Sequence, residues 1–130
     1  YLDVVEQAGL SALVREVEFV KPDDEKGAVV AKILDENPDI DGIFAGDDTM
    51  AAICLNVMKQ RGLSAPDDIK VVGADGARRT MTFMPDLTTV RQDIDRIGEL
   101  AAQSIIALIN GDKPESNIKL PVELIEGKTA

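Results

Sequence analysis

Nothing in this chain restricts its fold more than the stretch Gly42-Ile43-Phe44-Ala45-Gly46-Asp47-Asp48-Thr49-Met50, where a short apolar run stops at two carboxylates. Directly after them, Met50, Ile53, Cys54, Val57 and Met58 recur at three- and four-residue spacing, the mark of an amphipathic helix. A buried strand that enters a helix through an acidic, glycine-containing turn is one half of a βαβ unit. The second place of this kind is Ile69-Lys70-Val71-Val72-Gly73-Ala74-Asp75-Gly76, again an apolar run closed by an acid. In open α/β sheets, ligands bind in the crevice outside the carboxyl ends of the strands. Asp47 and Asp75 therefore stand where chemistry is expected. On spacing alone the better reading of each is a solvated loop acid or a helix cap. Asp48 is expected to cap the following helix, because a carboxylate there accepts orphan N–H groups and faces the positive end of the dipole.

The rest of the chain follows the same alternation. Residues 1–9 read as a helix stopped by Gly9, and residues 14–20 as an edge strand in which Val17 and Phe19 alternate with Glu16 and Glu18. Residues 27–37 carry Val29, Val30, Ile33 and Leu34 on one helical stripe, closed before Pro38. A strand at 42–45, a helix at 48–61 and a central strand at 69–74 come next. Residues 76–86 read as an irregular loop, with Arg78 and Arg79 solvated and Phe83 and Met84 sealing the core. A short strand at 87–91, a long helix at 94–110 and an alternating strand at 118–125 complete the pattern. This order predicts a three-layer α/β/α sandwich on a mostly parallel sheet. Right-handed crossovers then bring Asp47 and Asp75 to one rim.

Composition narrows the function classes. A chain of 130 residues with 45% apolar content supports one domain with a real core. Its formal charge of −10 repels phosphate backbones, so this segment is not expected to bind nucleic acid by itself. The absence of His removes the commonest general base and a common metal ligand, and no cofactor or metal motif is present. The single cysteine, Cys54, lies on an apolar helix face and reads as a structural thiol. No apolar run is long enough to span a bilayer. The chain opens Tyr1-Leu2-Asp3, without a basic leader or an apolar h-region, and is read as part of a longer protein. A phospho-acceptor reading built on the paired acids, Thr80 and Lys70 fails, because Lys70 begins its strand and points to the opposite rim.

These residues carry a family resemblance. Asn37-Pro38-Asp39-Ile40-Asp41-Gly42-Ile43-Phe44-Ala45-Gly46-Asp47-Asp48-Thr49-Met50-Ala51 resembles the N-P-x-x-D-A-I-F-x-x-N-D-x-M-A segment of LacI/GalR-type transcriptional regulators. Pro66-Asp67-Asp68-Ile69-Lys70-Val71-Val72-Gly73-Ala74-Asp75 is similar to their P-x-D-I-x-V-V-G-F-D. Pro85-Asp86-Leu87-Thr88-Thr89-Val90-Arg91-Gln92 resembles P-P-L-T-T-V-R-Q, and Leu120-Pro121-Val122-Glu123-Leu124-Ile125 resembles the closing L-P-x-x-L-V strand.

The resemblance implies a partial effector domain of the periplasmic-binding-protein type, mostly its C-terminal lobe, with residues 93–117 belonging to the other lobe. The apolar stripe of the long helix is then expected to pack on another copy or to fold back on this lobe. The resemblance also implies a small-molecule effector, a sugar, held by Asp47, Asp75, Tyr1 and Gln92, with Asp48 as cap or secondary contact. It implies no catalysis, a cytoplasmic homodimer, no membrane contact, and DNA binding only through a helix-turn-helix upstream of residue 1. A periplasmic-type solute-binding protein is the alternative, discriminated by a leader in place of that motif. The chain departs from the pattern where Asp47 replaces Asn, Ala74 replaces an aromatic and Gly76 replaces a second Asp. The last strand also runs on into Glu126-Gly127-Lys128, where the family often has a basic residue before its Ser or Thr. A changed effector is the expected consequence.

Overall fold

A computed structural model describes all residues, 1–130. Its element order is α1 (Leu2–Gln7), α2 (Asp23–Glu36), β1 (Gly42–Phe44), α3 (Asp48–Gln60), β2 (Lys70–Asp75), α4 (Arg78–Phe83), β3 (Thr88–Gln92), α5 (Ile94–Ile109) and β4 (Val122–Ile125). The strands form one sheet in the order β1-β2-β3-β4. β1 pairs parallel to β2, β2 parallel to β3, and β4 closes the far edge antiparallel to β3. The fold is α/β with a mostly parallel sheet, as the alternation predicts.

The local causes are visible in each element. Three acids, Asp23, Asp24 and Glu25, occupy the first turn of α2, where the helix dipole favours negative charge. Asn37 ends that helix ahead of Pro38, its side chain donating back to the Ile33 carbonyl at 2.8 Å. α2 and α3 lie against each other, and α3 lies on β2. Between them sits the core: Val30 and Leu34 of α2, Ala51, Cys54, Val57 and Met58 of α3, and Val71 of β2. The opposite sheet face, with Phe44, Val72, Ala74 and Val90, stays half-buried to exposed.

The chain end contributes more than its last strand. The amide of Val71 donates to the Thr129 carbonyl at 2.6 Å, and the Thr129 hydroxyl donates to the Val71 carbonyl at 2.7 Å. The Thr88 amide donates to the same hydroxyl at 2.9 Å. Residues 127–129 thus occupy the slot beside β2 just before β3 begins.

Four expectations need correction. Residues 14–20 form no strand: Arg15, Glu16 and Glu18 all face solvent, and the only free edge nearby, that of β1, is three residues long. The loop 76–86 contains the short helix α4, and Phe83 on it is 75% exposed instead of sealing the core. The final strand spans Val122–Ile125, not 118–125. The long helix α5 does not fold back on the sheet: none of its residues is buried, and Ile105, Ile106, Leu108 and Ile109 are all more than half exposed.

Candidate functional site

Because β1, β2 and β3 run in one direction, their carboxyl ends share one edge of the sheet. Asp47 follows β1, Asp75 ends β2 and Gln92 ends β3. The three sequence-predicted polar residues are thus delivered by three adjacent strands.

Asp47 is half-buried, with extended backbone (φ −150°, ψ 169°), and its Oδ1 accepts from the Met50 amide at 2.6 Å. It is the N-cap of α3. This corrects the expectation for Asp48, which lies one residue inside the helix and caps nothing. Asp48 is instead 3% exposed, and its Oδ1 accepts from the Thr89 hydroxyl at 2.5 Å. One residue of phase in the helix start decides which acid turns to the helix end and which turns inward.

Asp75 has φ of +100°, a region that a non-glycine residue occupies at a cost on the order of 1–3 kcal/mol, typically at sites where geometry is over-determined. Its Oδ1 accepts from Gln92 Nε2 at 2.7 Å, which ties the ends of β2 and β3 together. Gly76 follows with φ +57°, and a Cβ there would meet the Arg91 Cα at 2.8 Å. The departure from a second acid at this position therefore has a steric reason. The neighbouring β3 backbone leaves no room for a side chain.

Each of the two rim carboxylates has one oxygen engaged by the protein and one without a protein partner. An ionised carboxylate only accepts, so the edge offers open acceptors, joined by the Gln92 amide oxygen. Such a rim suits a ligand rich in hydroxyl donors. It disfavours an anion: two negative charges face it, and the orphan Met50 amide that would attract one is already satisfied by Asp47.

Tyr1 is 58% exposed and is one of the residues, with Asp47, Phe44, Gly46 and Met50, that line a cavity of about 540 Å³ along the free edge of β1. Neither Asp75 nor Gln92 lines that cavity. Gln92 borders a separate groove between α5 and residues 115–122. The structure therefore brings Asp75 and Gln92 into contact, sets Asp47 on the same edge, and places Tyr1 in a cavity that Asp47 lines and Asp75 and Gln92 do not. Arg78 faces Asp95 of α5 at 3.6 Å, with both side chains solvated.

Burial pushes the Cys54 thiol up to about 11, as expected of an inert structural cysteine in an apolar wall. No group of three or more His, Cys, Asp or Glu side chains is arranged to hold a metal ion.

The geometry defines a class first: an α/β lobe with polar residues at the carboxyl edge of a mostly parallel sheet. The chain belongs to the periplasmic binding protein-like domain family, whose model matches residues 1–130, in the form found in LacI-type transcriptional regulators. It is 32% identical over 131 residues to the ribose operon repressor of Halalkalibacterium halodurans, covering 99% of this chain and 39% of that one. It is 28% identical over 129 residues to the sucrose operon repressor of Streptococcus mutans, with the same coverage of 99% and 39%. Among solved structures, a LacI family transcriptional regulator from Arthrobacter sp. FB24 in complex with lactose superposes with a TM-score of 0.80 at 27% identity, covering 98% of this chain and 48% of that one. The chain spans less than half the length of these relatives.

Sequence reasoning missed the Asp48–Thr89 pair and the docking of Thr129 onto Val71 and Thr88. The first joins residues 41 positions apart, and the second 58 and 41 apart, so no local spacing carries a signal for either.

Proposed function

We propose that this chain is the effector-sensing part of a LacI-type transcriptional regulator and that it binds an uncharged sugar at the carboxyl edge of its sheet. Asp47 and Asp75 accept hydroxyl donors through their open oxygens, and Gln92 supplies both a donor and an acceptor. The observation that carries this reading is the Asp75–Gln92 hydrogen bond at a backbone position of φ +100°, beside Asp47 on the same edge. Support comes from the relatives, whose names refer to ribose and sucrose operons, and from the structural neighbour that holds lactose.

In the intact protein, residues 93–117 belong to a second lobe. The uncovered apolar stripe of α5 fits that assignment, since a helix this apolar is stable only when one face is packed. Ligand then binds between lobes, changes their relative orientation, and alters how a cytoplasmic homodimer presents DNA-binding heads. Tyr1 completes the Asp47 side of the cleft.

The test is titration calorimetry of the full-length gene product against ribose, sucrose, lactose and the corresponding sugar phosphates. Binding of at least one unphosphorylated sugar, lost on Asp75→Ala, supports the reading. Preference for a phosphorylated sugar, or binding undiminished by Asp75→Ala, refutes it.

A further inference from the structure

We infer that Asp48 is a positioning residue for the carboxyl-edge site, clamping the turn that carries Asp47 to the strand that carries Gln92. The inference rests on the sugar-binding reading above for its consequence, but not for its geometry. Asp48 follows β1 and opens α3, yet its carboxylate reaches over β2 to the Thr89 hydroxyl on β3 at 2.5 Å. Between them lies Gly73, the register partner of Thr89. A Cβ at Gly73 would stand 2.6 Å from Asp48 Oδ1 and 3.3 Å from Thr89 Oγ1, so only glycine leaves the path clear. The pair therefore ties the start of α3 to β3 across Gly73 of β2, beneath the edge, next to Asp47 in sequence and a few residues short of Asp75 and Gln92.

The pair is a poor device for stability. Asp48 is 3% exposed and Thr89 fully buried, and Asp48 Oδ2 has no partner at all. A carboxylate removed from water with one hydrogen bond in return is costly. An apolar pair of the same size would hold the fold as well or better, because replacing both partners leaves nothing unsatisfied. What an apolar pair cannot supply is direction: the hydrogen bond to Oδ1 fixes the helix start against β3 in one register. Asp48 touches no ligand in this account. It acts through the placement of Asp47.

The discriminating variant is the double replacement Asp48→Leu/Thr89→Val, made in the full-length gene product. The melting temperature should stay level or rise, while the Kd for whichever of ribose, sucrose or lactose the parent binds rises about tenfold, a coupling typical of residues in one network. Asp48→Asn alone, which keeps the Oδ1 acceptor for Thr89, should leave the parent Kd unchanged. A double variant that melts and binds like the parent overturns the proposal. Should that variant not fold, Asp48→Asn/Thr89→Val removes the same bond with a smaller change in shape; it leaves a buried amide unpaired, so its Tm falls, and it is judged by the Kd and by the exchange of the Met50 amide.

Amide hydrogen exchange provides an arm that needs no ligand. The Met50 amide, held by Asp47, should exchange about tenfold faster without the clamp, while Val71 and Val72 keep their protection. Unchanged exchange at Met50 overturns the clamp. A parent that binds no sugar while Met50 responds as expected sinks the sugar reading and leaves the clamp standing.

Discussion

Asp47 carries two loads, and two substitutions separate them. As N-cap of α3 it satisfies the Met50 amide at 2.6 Å. Losing such a cap to alanine costs about 1 kcal/mol, and removing the charge from the first turn adds roughly 0.5 kcal/mol through the helix dipole. Asn caps as well as Asp, so Asp47→Asn loses only the dipole contribution of about 0.5 kcal/mol. For a domain of this size 1 kcal/mol corresponds to about 4 °C in Tm. Circular-dichroism melts should therefore place Asp47→Ala about 6 °C and Asp47→Asn about 2 °C below the parent. Calorimetry on the same samples should show sugar affinity weakened about tenfold or more by Asp47→Ala, the loss expected for a hydrogen bond to a charged group. Equal melting of the two variants would refute the capping argument. Full affinity in Asp47→Ala would remove Asp47 from the site.

Three further outcomes follow from the geometry. Gly76→Asp, which restores the residue common in the family, should destabilise by about 2–4 kcal/mol in urea unfolding, combining a left-handed backbone with overpacking against Arg91. Cys54, with its thiol pushed up to about 11 by burial, should react with iodoacetamide at pH 8 roughly 100-fold more slowly in the native than in the unfolded chain. Hydrogen bonds from the Arg61 guanidinium hold the Asp35 carboxyl below its ordinary value, so the folded state binds fewer protons there than the unfolded one. That contribution is present above the ordinary carboxylate pKa of about 3.9 and fades as pH falls through the lowered value. The difference in Tm between the parent and Asp35→Asn should shrink accordingly in melts taken from pH 6 down to pH 3.

Much of the fold is legible because its strongest signals are local. The apolar run before Asp47, the three- and four-residue spacing through Met58, and the V-V-G strand each specify one element and its neighbour. The shared edge of Asp47, Asp75 and Gln92 follows from strand direction alone. What the sequence left hidden depends on partners far along the chain or on one residue of phase. Residues 14–20 alternate like a strand, but alternation creates no strand where the free edge nearby is that of the three-residue β1. Phe83 reads as core by chemistry and is exposed because the turn of α4 carries it outward. The exchange of roles between Asp47 and Asp48 hangs on where α3 begins, and helix ends are the least determined feature of any sequence reading.

The most direct measurement is a crystal structure of the full-length gene product grown with the sugar that titrates it. The account predicts sugar hydroxyls within hydrogen-bond distance of Asp47, Asp75 and Gln92, with Asp48 behind them still bound to Thr89. A sugar seated elsewhere, with the open oxygens of Asp47 and Asp75 facing only water, would contradict it.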